Sequence, residues 1–196
     1  KVFSLNDINF GVTICEDIWF EDGPVRVLSF AGNAEIIINI NSSPYHLGKW
    51  RLRETMLRER AKNSKVAIAY NNMVGGQDEL VFDGDGMFLD VKGNVIERGR
   101  QFEEELIIAD VDVDKIRSQR KVENWQKKKR GFSKYKKLIK STNLSKQGHL
   151  KKPLIERGSI EPYSIEAEIY NALLLGTRDY TKKNGFKKVL VGLSGG

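Results

Sequence analysis

The single cysteine, Cys15, stands at the end of an apolar run, Gly11-Val12-Thr13-Ile14, and two carboxylates, Glu16 and Asp17, follow it at once. A nucleophile needs that placement: a strand fixes its backbone, a tight turn exposes its side chain, and nearby backbone N–H groups can hold a developing oxyanion. A buried, inert thiol is the other reading of the same residue, because free cysteine is among the most buried residue types. A second polar cluster, Asn41-Ser42-Ser43-Pro44-Tyr45, closes the apolar run at 35–40, so strands ending in loops could gather Cys15 and Ser43 at one sheet edge. A third stretch, Gly192-Leu193-Ser194-Gly195-Gly196, follows Val189-Leu190-Val191. Backbone N–H groups of such a glycine-rich loop can cradle phosphate, although the loop lacks the Lys of a Walker motif and the spacing of a dinucleotide fingerprint.

The elements that would position these groups are legible as hydrophobic periods. Residues 2–10 read as a hairpin arm with Asn6 and Asp7 in its turn. Residues 11–14 read as a buried strand, and Pro24 after Glu21-Asp22-Gly23 opens a helix through about Gly32. The continuous apolar run at 35–40 predicts a strand covered on both faces. A helix is expected over 49–63, with Trp50, Leu57 and Ala61 on one face, Leu52 and Met56 beside it, and an i,i+4 pair from Glu54 to Arg58. A buried strand follows at 66–70. Antiparallel strands are expected at 80–82, 86–89, 95–97 and 106–109, linked by turns such as Lys92-Gly93-Asn94. Strand, helix, strand, helix, strand and then a meander make an α/β layered domain. Near the end, Pro162 opens a helix with Ile165, Ile169, Ala172, Leu173, Gly176 and Tyr180 on one face, closed by Asn184 and Gly185, and 189–191 is a strand.

Composition narrows the class. The chain has 196 residues, 40% of them hydrophobic and 30% charged, as in an ordinary soluble protein of one to two domains. No apolar run reaches the length of a membrane span, and no signal pattern opens the chain. One cysteine makes no internal disulfide, and with two histidines it makes a poor metal cluster, so no metal ligands are assigned. The cytoplasm is the expected compartment. The net charge of +7 hides an asymmetry: between Lys115 and Lys152 there are 15 basic residues against one acid, Glu123, while the rest carries 18 basic against 25 acidic. Like charges at that density oppose compaction, so most of 112–153 reads as a linker or mobile surface segment. Its other reading is an electrostatic footprint for polyphosphate or nucleic acid, with Trp125, Phe132 and Tyr135 available to stack. Lacking an initiator Met and stopping inside a loop, the chain reads as a fragment cut at both ends.

Gly11 to Phe20, with Cys15-Glu16-Asp17 after its strand, resembles the nucleophile motif of the nitrilase (carbon–nitrogen hydrolase) family. The loop Asn41-Ser42-Ser43-Pro44-Tyr45-His46-Leu47-Gly48-Lys49 resembles the glutamine-binding loop of that family's glutaminase branch, and Val191 to Gly196 resembles the opening of the ATP-pyrophosphatase loop. A nitrilase-like glutaminase joined to such a loop is similar to the glutamine-dependent NAD synthetase family. The resemblance implies the C-terminal part of a nitrilase-like α-β-β-α sandwich over 1–114, a basic linker over 115–158, and the first helix and strand of a Rossmann-like nucleotide-binding domain over 159–196. It implies that Cys15 attacks the carboxamide of glutamine, that Ser43 and Lys49 hold the substrate, and that Gly192, Leu193, Ser194, Gly195 and Gly196 belong to the ATP-binding loop. Chemically, a hydroxyl and an ammonium suit glutamine's amino-acid end. Ser43 shaping the turn before Pro44, and Lys49 as a solvated first-turn residue, remain the alternatives.

The resemblance further implies ATP and Mg2+ as cofactors of the whole enzyme, glutamine and nicotinic acid adenine dinucleotide as substrates, a homo-oligomer, no membrane and no nucleic acid. Its Glu and Lys triad members lie tens of residues before the cysteine and find no position here, so these 196 residues alone are expected to catalyse neither half-reaction and to bind no cofactor. Gly86 stands where relatives often carry Ser. Two other readings stay open: a stand-alone carbon–nitrogen amidase with a basic tail, and a non-catalytic basic protein that binds nucleic acid.

Overall fold

The computed structural model describes residues 1–144 and 160–195. β1 (Val2–Leu5) and β2 (Ile8–Ile14) form the expected hairpin, with Asn6 and Asp7 at φ 48° and 64°. Two left-handed residues give the turn the twist that a tight hairpin requires. β2 runs into a single 3₁₀ turn, Cys15–Ile18, after which Pro24 opens α1 (Pro24–Phe30). β3 (Ile36–Asn41), α2 (Lys49–Ser64) and β4 (Ala67–Asn72) complete two crossovers, so β2, β3 and β4 lie parallel and in sequence. β5 (Val74–Gln77) and β6 (Leu80–Asp83) form a separate two-stranded hairpin. β7 (Met87–Leu89) and β8 (Val95–Arg98) add antiparallel to β4. The Asp90 carboxylate pins the turn between them by accepting the Lys92 and Asn94 N–H groups, at 2.8 and 2.9 Å.

α3 (Val113–Gln119), α4 (Glu123–Gly131) and a 3₁₀ turn (Ser133–Leu138) lead to β9 (Ser141–Asn143), which pairs parallel with β1. The sheet order is β8-β7-β4-β3-β2-β1-β9. α5 (Ile165–Lys183) closes the described chain. Val25 and Leu28 of α1 and Met56, Leu57 and Ala61 of α2 share one core with Val2, Ile37, Ile68, Tyr70, Met87 and Leu89, which places both helices on the same sheet face. Among the described residues no helix is long and apolar enough to cross a membrane.

Several expectations are corrected. The buried side of α2 carries Arg53 and Arg60 between its apolar residues, and Leu52 faces solvent. β3 is covered on one face only along its C-terminal half: Ile40 is 50% exposed and its neighbour Ile14 is 68% exposed. Residues 106–109 form no strand; Ile107 seats against Gly86 and Gly99 and leaves Leu106 in solvent. Residues 189–191 are exposed and pair with no strand among the described residues. α5 docks through Glu168, Ala172, Leu175 and Gly176, leaving the Ile165, Ile169, Leu173 and Tyr180 side open.

The basic stretch is folded over 113–143. Most of its cations are exposed, but Arg120 is buried against Lys65 O at the end of α2 and Ala34 O after α1, Lys129 is half-buried 5.3 Å over Trp125, and Ile116 and Trp125 are buried. Anchors of that kind outweigh the repulsion among solvated lysines, which salt screens. Lys146, Lys151 and Lys152, together with Gly196, lie outside the described residues.

Candidate active site

Cys15 lies one residue beyond β2 with φ 47°. For a side chain larger than glycine this left-handed conformation costs about 1–2 kcal/mol, so its surroundings must hold it. Three bonds do. The Asp17 carboxylate accepts the Ile14 N–H at 3.0 Å, and Glu16 O accepts the Trp19 N–H at 2.9 Å. The buried Asn39 carboxamide on β3 donates to Thr13 Oγ1 at 2.9 Å and to Cys15 O at 3.4 Å. Asp17 is therefore a lock on the turn, and Glu16 faces solvent. The thiol is free and half-buried.

Ser43 follows β3 and is buried; the Asn72 side chain, at the end of β4, accepts its N–H at 2.8 Å and donates to its carbonyl at 3.3 Å. Lys49 opens α2 and donates to Pro44 O at 2.6 Å. Burial and Arg53 both lower its pKa from the usual lysine range, while Asp83 and Cys15 act in the opposite sense. The structure places Cys15, Ser43, Lys49 and Asn72 along the carboxyl edge of parallel strands β2, β3 and β4, where open α/β sheets bind their ligands. Lys49 adds its cation to the positive end of the α2 dipole, a natural seat for a carboxylate.

The support beneath this edge was not foreseen. Arg53 is fully buried and forks onto Asp83, with Nη2 to Oδ1 at 3.0 Å and Nη1 to Oδ2 at 3.2 Å; the same Nη1 reaches Asp85 at 3.3 Å. Burial alone would pull its pKa down, yet the two carboxylates hold the proton more firmly than usual. Asp85 is shared with Arg98 at 2.6 Å, and Arg98 pairs in turn with Glu54. Asn72 also donates to Asp83 Oδ1 at 3.3 Å, which ties the Ser43 loop to this ion network. Tyr70 lies 5.6 Å beneath the guanidinium, and burial pushes its pKa up to about 12. The sequence signal that could have found the network is Asp83-Gly84-Asp85, two acids at a strand end that need a cation once buried. Gly192, Leu193, Ser194 and Gly195 stand apart from this edge, exposed and with open space around both glycines.

Residues 1–121 match the family described as carbon–nitrogen hydrolase. The whole chain is 43% identical to a glutamine-dependent NAD(+) synthetase of Thermotoga maritima and 39% identical to one of Aquifex aeolicus, covering 33% of each relative. It thus spans about a third of the length of the curated relatives it matches. A solved glutamine-dependent NAD+ synthetase from Acinetobacter baumannii superposes on 96% of this chain and 29% of its own, with 32% identity and a TM-score of 0.68. A carbon–nitrogen hydrolase from Helicobacter pylori, at 18% identity and a TM-score of 0.56, covers 69% of this chain and 50% of its own, and shares the fold.

Proposed function

The chain belongs to the carbon–nitrogen hydrolase family, and from that premise we propose that it is the glutamine-hydrolysing part of a glutamine-dependent NAD synthetase. The observation that carries the reading is Cys15, held at φ 47° at the carboxyl edge of a parallel strand, the same edge that carries Ser43 and the Lys49 start of α2. The relatives named above support it over a stand-alone amidase or a nucleic-acid-binding protein.

In this reading the Cys15 thiolate attacks the carboxamide carbon of glutamine. The tetrahedral adduct takes up on its nitrogen the proton that the thiol gave up and expels ammonia as the C–N bond breaks, water cleaves the glutamyl thioester, and glutamate leaves with the thiol restored. Lys49, at the positive end of α2, binds the α-carboxylate, and Ser43, fixed by Asn72, offers its hydroxyl to the same amino-acid end. Ammonia then displaces AMP from adenylylated nicotinic acid adenine dinucleotide in the whole protein. Gly192 to Gly196 would open its ATP loop. The described part of that loop brings backbone donors and one hydroxyl, which suit phosphate; it has no carboxylate for Mg2+, and no step here runs through the metal.

The proposed domain plan remains 1–114 glutaminase, 115–158 connector and 159–196 the start of a Rossmann-like domain, with 113–143 strapped onto the first unit. The whole would be a cytoplasmic homo-oligomer. The test is C15A in the full-length protein. NAD formation with glutamine should fall at least ~10³-fold while formation with ammonium salts persists. Retention of the glutamine-dependent rate would overturn the reading.

A further inference from the structure

α5 is anchored to the rest of the molecule by polar contacts that reach beyond simple docking. At its far end the Asp179 carboxylate accepts the Gly76 N–H at 2.8 Å and Lys183 donates to Gly76 O at 2.5 Å, fixing the helix on the β5–β6 hairpin. At its near end Glu168, only 1% exposed, accepts the Gly48 N–H at 3.0 Å, 120 residues away in sequence. Burying a carboxylate is costly unless hydrogen bonds or a positive potential meet it. Here both do. Gly48 is the N-cap residue of α2, at φ 73°, and carries no side chain with which to cap its own helix. Glu168 therefore supplies in trans the anion that the positive end of α2 favours. Tyr45, at the other end of the same loop, also lies beside this carboxylate: burial and Glu168 raise its pKa to about 12. The next residue after Gly48 is Lys49.

We propose that Glu168 is a positioning residue for the amide substrate: by holding the Gly48 N–H it fixes the loop from Tyr45 to Lys49, and so sets where the Lys49 ammonium meets the substrate's carboxylate. This rests on the glutaminase reading given above. α5 is thus part of the substrate-binding apparatus although it contributes no atom that touches glutamine. The bond acts on recognition and not on the carbonyl chemistry, so its loss belongs in KM and not in kcat.

The test uses steady-state glutamine hydrolysis by the full-length protein, comparing wild type with E168A, E168Q and D179A. E168A should raise KM for glutamine roughly tenfold with kcat little changed, as expected for a lost charge-assisted bond. E168Q keeps an acceptor oxygen and loses the charge, so KM should rise only about threefold. D179A loosens the helix at its other anchor and should leave KM within about twofold. An unchanged KM in E168A overturns the proposal; should that variant fail to fold, an unchanged KM in E168Q does so. A D179A enzyme with the same KM defect as E168A also overturns it, because helix docking in general would then be responsible. C15A in parallel separates this failure from that of the parent reading: glutamine hydrolysis surviving without the thiol defeats the glutaminase assignment itself.

Discussion

At the scale of residues, the proposed chemistry rests on the charge of Lys49 and the conformation of Cys15. Lys49 must be cationic to hold a carboxylate, and burial together with Arg53 brings its pKa below that of a free lysine. Binding is then lost as pH rises through that lowered value. KM for glutamine should rise on the alkaline side earlier than an ordinary lysine would dictate. K49R, with a guanidinium that stays charged, should move that limb upward; titration of the substrate itself is common to both enzymes, so the difference between the profiles is the readout. Cys15 depends on its turn. D17A removes the acceptor of the Ile14 N–H and leaves the left-handed Cys15 held by Asn39 and the Trp19 turn bond alone. A reduction of about tenfold in kcat, with KM for glutamine nearly unchanged, is the expected result, and D17N, which keeps an acceptor oxygen, should restore most of it.

At the scale of elements, the helices and parallel strands were legible because each has one period and one set of boundary signals. The Asn6–Asp7 turn, Pro24 at the start of α1 and the apolar run of β3 all sit where local chemistry demands. The interior of α2 was not legible. Arg53 looks from sequence like a solvated charge on an amphipathic helix, and only the later hairpin residues Asp83 and Asp85, brought beneath it by tertiary pairing, make its burial possible. The same non-local pairing hid the role of Asn72. A buried ion pair adds little net stability compared with an apolar pair of the same shape, but breaking it from one side strands the remaining charges. R53A should therefore cost about 3–5 kcal/mol in urea denaturation of the full-length protein. Because Asp83 also holds Asn72, and Asn72 holds Ser43, the variant should additionally weaken glutamine binding. An R53A protein of unchanged stability would mean that the network is open to water.

At the scale of the whole molecule, charge density alone does not show how the basic segment is held; a few anchors do. Arg120 donates to Lys65 O at 2.9 Å, Ala34 O at 2.5 Å, Asn33 O at 3.4 Å and Ser29 Oγ at 3.2 Å. Lys65 O lies at the C-terminal end of α2, where the helix dipole favours a cation, and Asn33 O and Ala34 O lie in the turn that follows α1. Trp125 covers the guanidinium at 5.0 Å and stacks on Phe30 of α1 at 5.5 Å. One arginine thus ties α3 and α4 to both helices over the sheet, while β9 extends the β1 edge of that sheet. Lys129 is half-buried with its ammonium 5.3 Å over the Trp125 ring, while the exposed lysines between these anchors contribute net charge. R120A should leave four acceptors, of which Ser29 Oγ and Ala34 O are buried, with weaker partners and cost about 2–4 kcal/mol, with amide exchange accelerated across 113–131. The double substitution K127E/K128E, on the exposed side of α4, should stay within about 0.5 kcal/mol of wild type. Equal effects from the two sets would mean that the segment is held by its overall charge. A large effect confined to R120A would mean that a single buried guanidinium turns a repulsive stretch into part of the fold.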